Sequence, residues 1–252
     1  MRAAVSIGIT GRTDAATVRT LAALVERLGF HALWINDIPG GDSLAGLRVA
    51  ADATTTLGLA TGVIPLDRRP VDALDLAGLP ADRTVLGIGS GGARHPLALV
   101  RDGIAALRRA TDAAVVVGAL GPRMRRLAAE EADGVLLNWL TPDVAAEATA
   151  ELRRDAGART ARSILYVRTI ADEAARPALE AEARRYETVP SYAANFERAG
   201  IRAIDATVDD AARLGAFDVV DEVVLRAITP TGTLAELERF AETTARWRDA
   251  VA

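Results

Sequence analysis

The chain alternates. Eight short apolar runs recur in order, rich in β-branched residues: AAVSIGI (Ala3 to Ile9), ALWIN (Ala32 to Asn36), LGLATGVI (Leu57 to Ile64), TVLGIG (Thr84 to Gly89), AAVVVG (Ala113 to Gly118), GVLLNW (Gly134 to Trp139), SILYVRTI (Ser163 to Ile170) and EVVLRAI (Glu222 to Ile228). Near-continuous apolarity marks strands buried on both faces, which is the condition of a parallel sheet. Helical patterns fill the gaps. TDAATVRTLAALVERLGF sets Val18, Leu21, Leu24, Val25 and Leu28 on one face, with Thr13 or Asp14 as N-cap and Gly29 at its end. TPDV and TGTL open later helices with proline or threonine at the start. Eight strands, each followed by helical sequence at intervals of roughly 20–30 residues until the seventh, predict an α/β fold: a single-domain (β/α)8 TIM barrel over residues 1–252. A doubly wound sheet also needs βα alternation. Eight units and a helix at the C-terminal end favour the barrel.

Composition then narrows the chemistry. There is no cysteine and no lysine, so all 30 basic residues are arginine. Thiol nucleophiles, thiolate metal sites, Schiff-base aldolases and lysine-anchored pyridoxal phosphate are excluded. His31 and His95 are the only histidines, too few for a zinc hydrolase site; no metal is expected, although the carboxylates leave a magnesium ion open. A chain so poor in catalytic side chains is expected to take its chemistry from a cofactor and to act on a small-molecule substrate. The net charge of −4 argues against a nucleic-acid partner. No apolar run approaches the roughly 20 residues of a membrane helix, so no membrane partner is expected. The N-terminus lacks a signal core, and the expectation is a cytoplasmic protein.

Barrel sites form at the C-terminal ends of the strands and in the loops that follow. After the fifth strand stands GALGPRM (Gly118 to Met124). Its glycines, Pro122 and the following helix start fit two readings, a plain βα loop or an anion seat made of free helix amides, with Arg123 as an added charge. GSGGARHP after the fourth strand is either a flexible turn or room for a ring against the backbone. It carries His95, a candidate acid or hydrogen-bond donor. Asp37 ends the second strand, where it either caps a turn or receives a ligand hydroxyl. Gly62 inside the third strand marks a bulge, a close ligand approach or a packing accommodation. His31 falls at the opposite end of the barrel and reads as structural. Arg168 and Arg226 are candidates for anion contacts, or else structural ion-pair partners.

Taken in order, ERLGFHALWIND (Glu26 to Asp37), GLATGVI, RTVLGIGSGG (Arg83 to Gly92), GALGPRM with LAAEEADGVLLNWLTP (Gly118 to Pro142) and YETVPSYAANFERAG (Tyr186 to Gly200) resemble the bacterial luciferase-like superfamily, and within it the actinobacterial branch that depends on coenzyme F420. The resemblance implies a (β/α)8 barrel that binds a reduced flavin or a 5-deazaflavin at its C-terminal mouth. It implies roles for Asp37 near the deazaflavin hydroxyl end and for Gly62 and Val63, joined by a cis peptide, behind the ring. Gly118, Ala119, Leu120 and Gly121 match the phosphate-binding turn, and Gly134 and Val135 the strand that approaches the cofactor. His95 falls where relatives carry a cofactor-contacting asparagine. With the resemblance, the anion reading of GALGPRM becomes the favoured one, carried by backbone amides more than by Arg123.

The implied function is an F420-dependent oxidoreductase that moves a hydride between C5 of the cofactor and a small organic substrate, with His95 or Asp37 as catalytic groups. The implied assembly is a homodimer. The alternatives are an FMN-dependent monooxygenase, a non-catalytic flavin- or deazaflavin-binding relative, and a cofactor-free sugar-phosphate isomerase. The chain also departs from the sugar-phosphate dehydrogenases of the superfamily. Ile38 stands where they have a histidine, and their strand-four glutamate has no counterpart near Gly92. Their catalytic acid therefore does not carry over.

Overall fold

A computed structural model describes residues 1–252. Eight parallel strands form the barrel: β1 (Ala4–Thr10), β2 (Ala32–Asn36), β3 (Gly58–Thr61), β4 (Thr84–Gly89), β5 (Ala114–Gly118), β6 (Gly134–Asn138), β7 (Arg162–Thr169) and β8 (Glu222–Ala227). Neighbours pair in chain order, and the sheet closes where β8 pairs with both β7 and β1. Register is explicit at the seam: Gly8 lies opposite Arg226, and Arg226 opposite Arg168. Two-residue strands extend the mouth, Ile64–Pro65 beside β4 and Thr207–Val208 beside β7. The predicted barrel is the observed one.

Strand alternation sorts the apolar residues into two layers. Ile7, Leu33, Leu59, Ile88, Val117, Leu137, Leu165 and Leu225 join the large core between sheet and helices. Trp34, Ala60, Val116, Leu136, Ile164, Tyr166 and Val224 form a second cluster that fills the barrel interior. The interior floor is polar. Glu222 is buried and accepts hydrogen bonds from Ser6 Oγ (2.6 Å), Trp34 Nε1 (2.7 Å) and an Arg162 guanidinium nitrogen (2.9 Å). His31 lies at this end, 3.9 Å from Glu222 and far from the mouth, as its place before β2 predicts.

The outer layer consists of α1 (Ala15–Arg27), α2 (Ser43–Ala53), α3 (Pro96–Ala110), α4 (Pro122–Glu131), α5 (Pro142–Ala156), α6 (Arg176–Glu187), α7 (Pro190–Ala199), α8 (Ala211–Ala216) and α9 (Leu234–Ala250). Asp14 caps α1 through Thr17 N at 3.0 Å, and Thr233 with Glu236 forms a capping box on α9. One unit breaks the expected rule. No α-helix follows β3, and residues 66–83 form a loop with two single 3₁₀ turns. Pro70 and Pro80 bracket nine residues that include Gly78 at φ 76°. Gly78 in the left-handed region and the extended backbone favoured before Pro80 cut off any helical run there. None of the helices is long and apolar enough to cross a membrane.

The insertion between β7 and β8 carries α6, α7 and α8, and the first two lean over the mouth. Tyr186 from α6 packs on Trp139, with ring centroids 5.2 Å apart, and Tyr192 from α7 packs on Tyr186 at 4.7 Å. Trp139 itself departs from the predicted strand. It follows β6 in the left-handed region at φ 57°, which turns its ring away from the sheet and into this aromatic cluster.

Candidate active site

A cleft of about 540 Å³ opens at the C-terminal mouth. This is within the usual size of small-molecule sites. Its walls come from the ends of β2 through β7. Asn36, Asp37 and Ile38 stand on one side, Gly62 and Val63 at the back, Gly118 to Gly121 on the far side, and α7 brings Ser191 and Tyr192 across the top.

The back wall is built from small residues for a steric reason. A Cβ on Gly87 would lie 2.0 Å from the carbonyl oxygen of Thr61, and one on Gly89 would lie 2.9 Å from Val63. The glycines of β4 thus admit the turn of β3 into the mouth, where the Gly62–Val63 peptide bond is cis, as the resemblance implies. A Cβ on Gly62 would meet Trp34, Tyr166 and Leu136 at 3.2 to 3.4 Å, so this glycine both lines the cleft and fits a packed interior. Further along, Gly91 and Gly92 are taken up by the loop after β3. The Gly92 amide donates to Asp67 at 2.8 Å, and a Cβ on Gly91 would collide with that carboxylate. These two glycines are fixed by the protein rather than kept clear for a ring.

The turn after β5 is different. The amides of Leu120 and Gly121 have no acceptor in the protein, whereas the Ala119 amide is used by Leu136 O at 3.1 Å. Gly121 is the N-cap of α4 without a side-chain cap, and a Cβ there would meet nothing within 4 Å. Free amides at a helix start beside open space are the local requirement for an anion. Arg123 is exposed and does not line the cleft. Two other cations reach the turn: Arg125 of α4 donates to Leu120 O at 3.2 Å and pairs with Glu151, and a second comes from α7. Arg198 donates to Leu120 O at 3.4 Å and to Asn195 at 2.6 Å. The position of Arg198 depends on how the long insertion folds back, and no local pattern in the sequence signals that.

At the opposite edge Asp37 is buried and occupied. It accepts from Ser43 Oγ at 2.9 Å and forms an ion pair with Arg69. At the base of the cleft, Tyr166 is buried with its hydroxyl unpaired, and burial pushes its phenol up to about 12. Arg168 bonds Asn138 and forms a 2.9 Å salt bridge with Glu182, and its guanidinium lies 4.2 Å from the Trp139 ring centre. Burial works to raise the Glu182 carboxyl, but Arg168 and Arg226 beside it prevail and hold it below the usual carboxylate range.

Comparison with known proteins places this geometry. Residues 2–112 match the family described as luciferase-like monooxygenase. Over 161 residues the chain is 29% identical to a 5,10-methylenetetrahydromethanopterin reductase of Methanolobus tindarius, covering 48% of this chain and 49% of that protein. The match thus spans about half the length of that curated relative. The fold resembles that of the coenzyme F420-dependent tetrahydromethanopterin reductase from Methanopyrus kandleri, with 17% identity, a TM-score of 0.63 and coverage of 96% and 98% of the two chains. It also resembles the oxygenating constituent of 3,6-diketocamphane monooxygenase of Pseudomonas putida, solved with FMN, with 12% identity, a TM-score of 0.65 and 98% of each chain covered. The whole chain shares the barrel fold of these proteins, and residues 2–112 are similar in sequence to the luciferase-like monooxygenases.

Within this barrel the expected site residues divide. Asp37, Gly62, Val63 and Gly118 through Gly121 meet around one cleft. His95 does not join them. It is the exposed residue before α3, without a side-chain cap bond, and only its neighbour Pro96 reaches the lining. Gly134 and Val135 also lie elsewhere. Gly134 opens β6 at the floor end, tight against the Arg162 backbone, and Val135 points outward into the helix-facing core. Strand alternation gives the cleft to Leu136 and Asn138 instead. Tyr166 and Glu182 were not singled out by the sequence, because only the closed barrel shows that an apolar-strand tyrosine points inward and that a helix in the insertion reaches the mouth.

Proposed function

We propose that this chain is a deazaflavin-dependent oxidoreductase that transfers a hydride between coenzyme F420 and a small organic substrate. The carrying observation is the unpartnered amide pair of Leu120 and Gly121, which faces the same cleft as the Gly62–Val63 wall. When bound, the deazaflavin supplies a hydride donor or acceptor at C5 of its ring. In this reading the two amides receive the phosphate, and Gly121 leaves it room to approach. Gly62, Val63 and Gly118 present a flat apolar wall for the ring. Asp37, oriented by Ser43 and Arg69, receives the hydroxyl end. Tyr166 stays protonated at the base of the cleft, where it can donate a hydrogen bond. The reading also carries a homodimer, which light scattering of the purified protein checks.

Support for the deazaflavin comes from the sequence relative, a tetrahydromethanopterin-type reductase, and from the F420 dependence of the Methanopyrus enzyme. An FMN-dependent monooxygenase is the second reading, favoured by the family description and by the FMN complex of the camphane enzyme. Titration of the purified protein with each cofactor, read by cofactor fluorescence, separates them. Micromolar binding of F420 and weaker binding of FMN are expected; the reverse order would overturn the deazaflavin reading. F420 binding without turnover across alkenes, imines and alcohols would point to a non-catalytic binder.

A further inference from the structure

Beside the cofactor cleft lies a smaller one of about 230 Å³, lined by Thr10, Thr13, Glu182, Arg226 and Thr229 among others. The Arg168–Glu182 pair divides the two. Arg168 and Arg226 are register partners on β7 and β8, so two guanidinium groups stand side by side at the mouth. Glu182 forms its salt bridge with Arg168, and Arg226 has no carboxylate within 4 Å. Its one hydrogen bond goes to the adjacent Ala227 carbonyl. Two cations and one anion leave one positive charge without a partner in a half-buried position, although the chain as a whole is acidic.

The surrounding hydroxyls are unfilled in the same sense. Thr10 Oγ1 accepts from Arg12 N at 3.3 Å, and Thr229 Oγ1 accepts from Gly232 N at 3.1 Å, but neither donates. Two threonine hydroxyls that donate to nothing and one guanidinium without a carboxylate thus line the smaller cleft together. Groups arranged this way lack an acceptor-only anion. A single residual charge matches a monoanion, and a planar guanidinium matches a carboxylate; a phosphate dianion would bring one negative charge too many.

We propose that Arg226, with Thr10 and Thr229, forms a carboxylate subsite, and that the substrate is an organic acid anchored there. The subsite rests on reading the larger cleft as the reaction site, but its test needs no cofactor. Benzoate and the neutral isostere benzamide are titrated into the protein and followed by ligand-observed NMR. Benzoate is expected to bind at least about tenfold tighter than benzamide. Arg226→Gln should erase that preference, while Arg109→Gln, on the exposed face of α3, should keep it. If Arg226→Gln does not fold, Thr229→Val serves, with an expected loss of about threefold in benzoate affinity. Equal binding of the two probes, no benzoate binding, full preference in the folded Arg226→Gln, unchanged affinity in Thr229→Val, or displacement of benzoate by inorganic phosphate more readily than by acetate would each overturn the proposal. A parallel F420 titration separates the two readings. Benzoate selectivity without cofactor binding sinks the oxidoreductase alone, and cofactor binding without benzoate selectivity sinks the subsite alone.

Discussion

Gly118 and Gly121 belong to one turn and are glycine for different reasons. A Cβ on Gly118 would stand 2.9 Å from Val63, so the residue is small because the cleft wall is packed behind it. Gly121 has an ordinary φ of −94° and open space around its missing side chain, so the protein itself has no need of glycine there. The two substitutions should therefore separate. Gly118→Ala is expected to destabilise the fold by about 1–3 kcal/mol through overpacking. Gly121→Ala should cost the fold no more than about 1 kcal/mol, because alanine is a poorer N-cap than glycine, and weaken F420 binding by about tenfold, because its methyl group enters the path of an approaching phosphate. Equal binding by Gly121→Ala in a fluorescence titration would remove the phosphate from this turn. Tyr166 makes a second residue-scale case. With its phenol pushed up to about 12 by burial, it should be the last tyrosine to ionise in an alkaline absorbance titration, and Tyr166→Phe should delete that final step.

At the scale of elements, α1 is tied to the start of β3 by one carboxylate. Glu26 accepts from the amides of Thr55, Thr56 and Leu57 at 2.8, 2.6 and 3.0 Å and from the Thr56 hydroxyl at 3.0 Å. The amide of Thr56 is the largest cause of a carboxyl held down to about 2, against 4.5 for a free glutamate. A depressed folded value stabilises the protein above the unfolded one, and the gain is lost as pH falls from about 4.5 towards 2. Glu26→Gln should thus be less stable than the parent at pH 7, and urea melts should show the gap closing below pH 4.5. A gap independent of pH would mean that shape, not charge, makes this tie.

The same scale shows what the sequence could and could not reveal. Helices and strands were legible because apolar period and capping residues act within a few positions, as at Asp14 and Thr233. The absent helix after β3 was also written locally, in Pro70 and Pro80, but the expectation of a regular repeat overrode it. The cleft was legible where it is backbone, at Gly62–Val63 and Gly118–Gly121. It was not where side chains decide it. Val135 and Leu136 are equivalent apolar residues until closure sends one outward and the other into the mouth, and Arg198, Glu182 and Tyr192 reach the site only through the fold of the β7–β8 insertion.

For the whole molecule the critical event is closure, because a parallel sheet gains its last pairings only when β8 meets both β1 and β7. Glu222 sits at that seam. Its carboxylate takes hydrogen bonds from β1 through Ser6, from β2 through Trp34 and from β7 through Arg162, and so joins four strands at one buried point. Arg162 is partly exposed and can turn to water, but the Ser6 hydroxyl and the Trp34 N–H are enclosed and would be left without an acceptor. Glu222→Ala is accordingly expected to cost about 3 kcal/mol or more, and Glu222→Gln, which keeps an acceptor but drops the charge, about 1 kcal/mol. Urea unfolding measures both. The floor and the mouth lie at opposite ends of the barrel, so F420 affinity of the folded fraction should be the same in both variants and the parent. A fall in affinity that tracks the loss of stability would show instead that the cleft is held open by the closure of the floor.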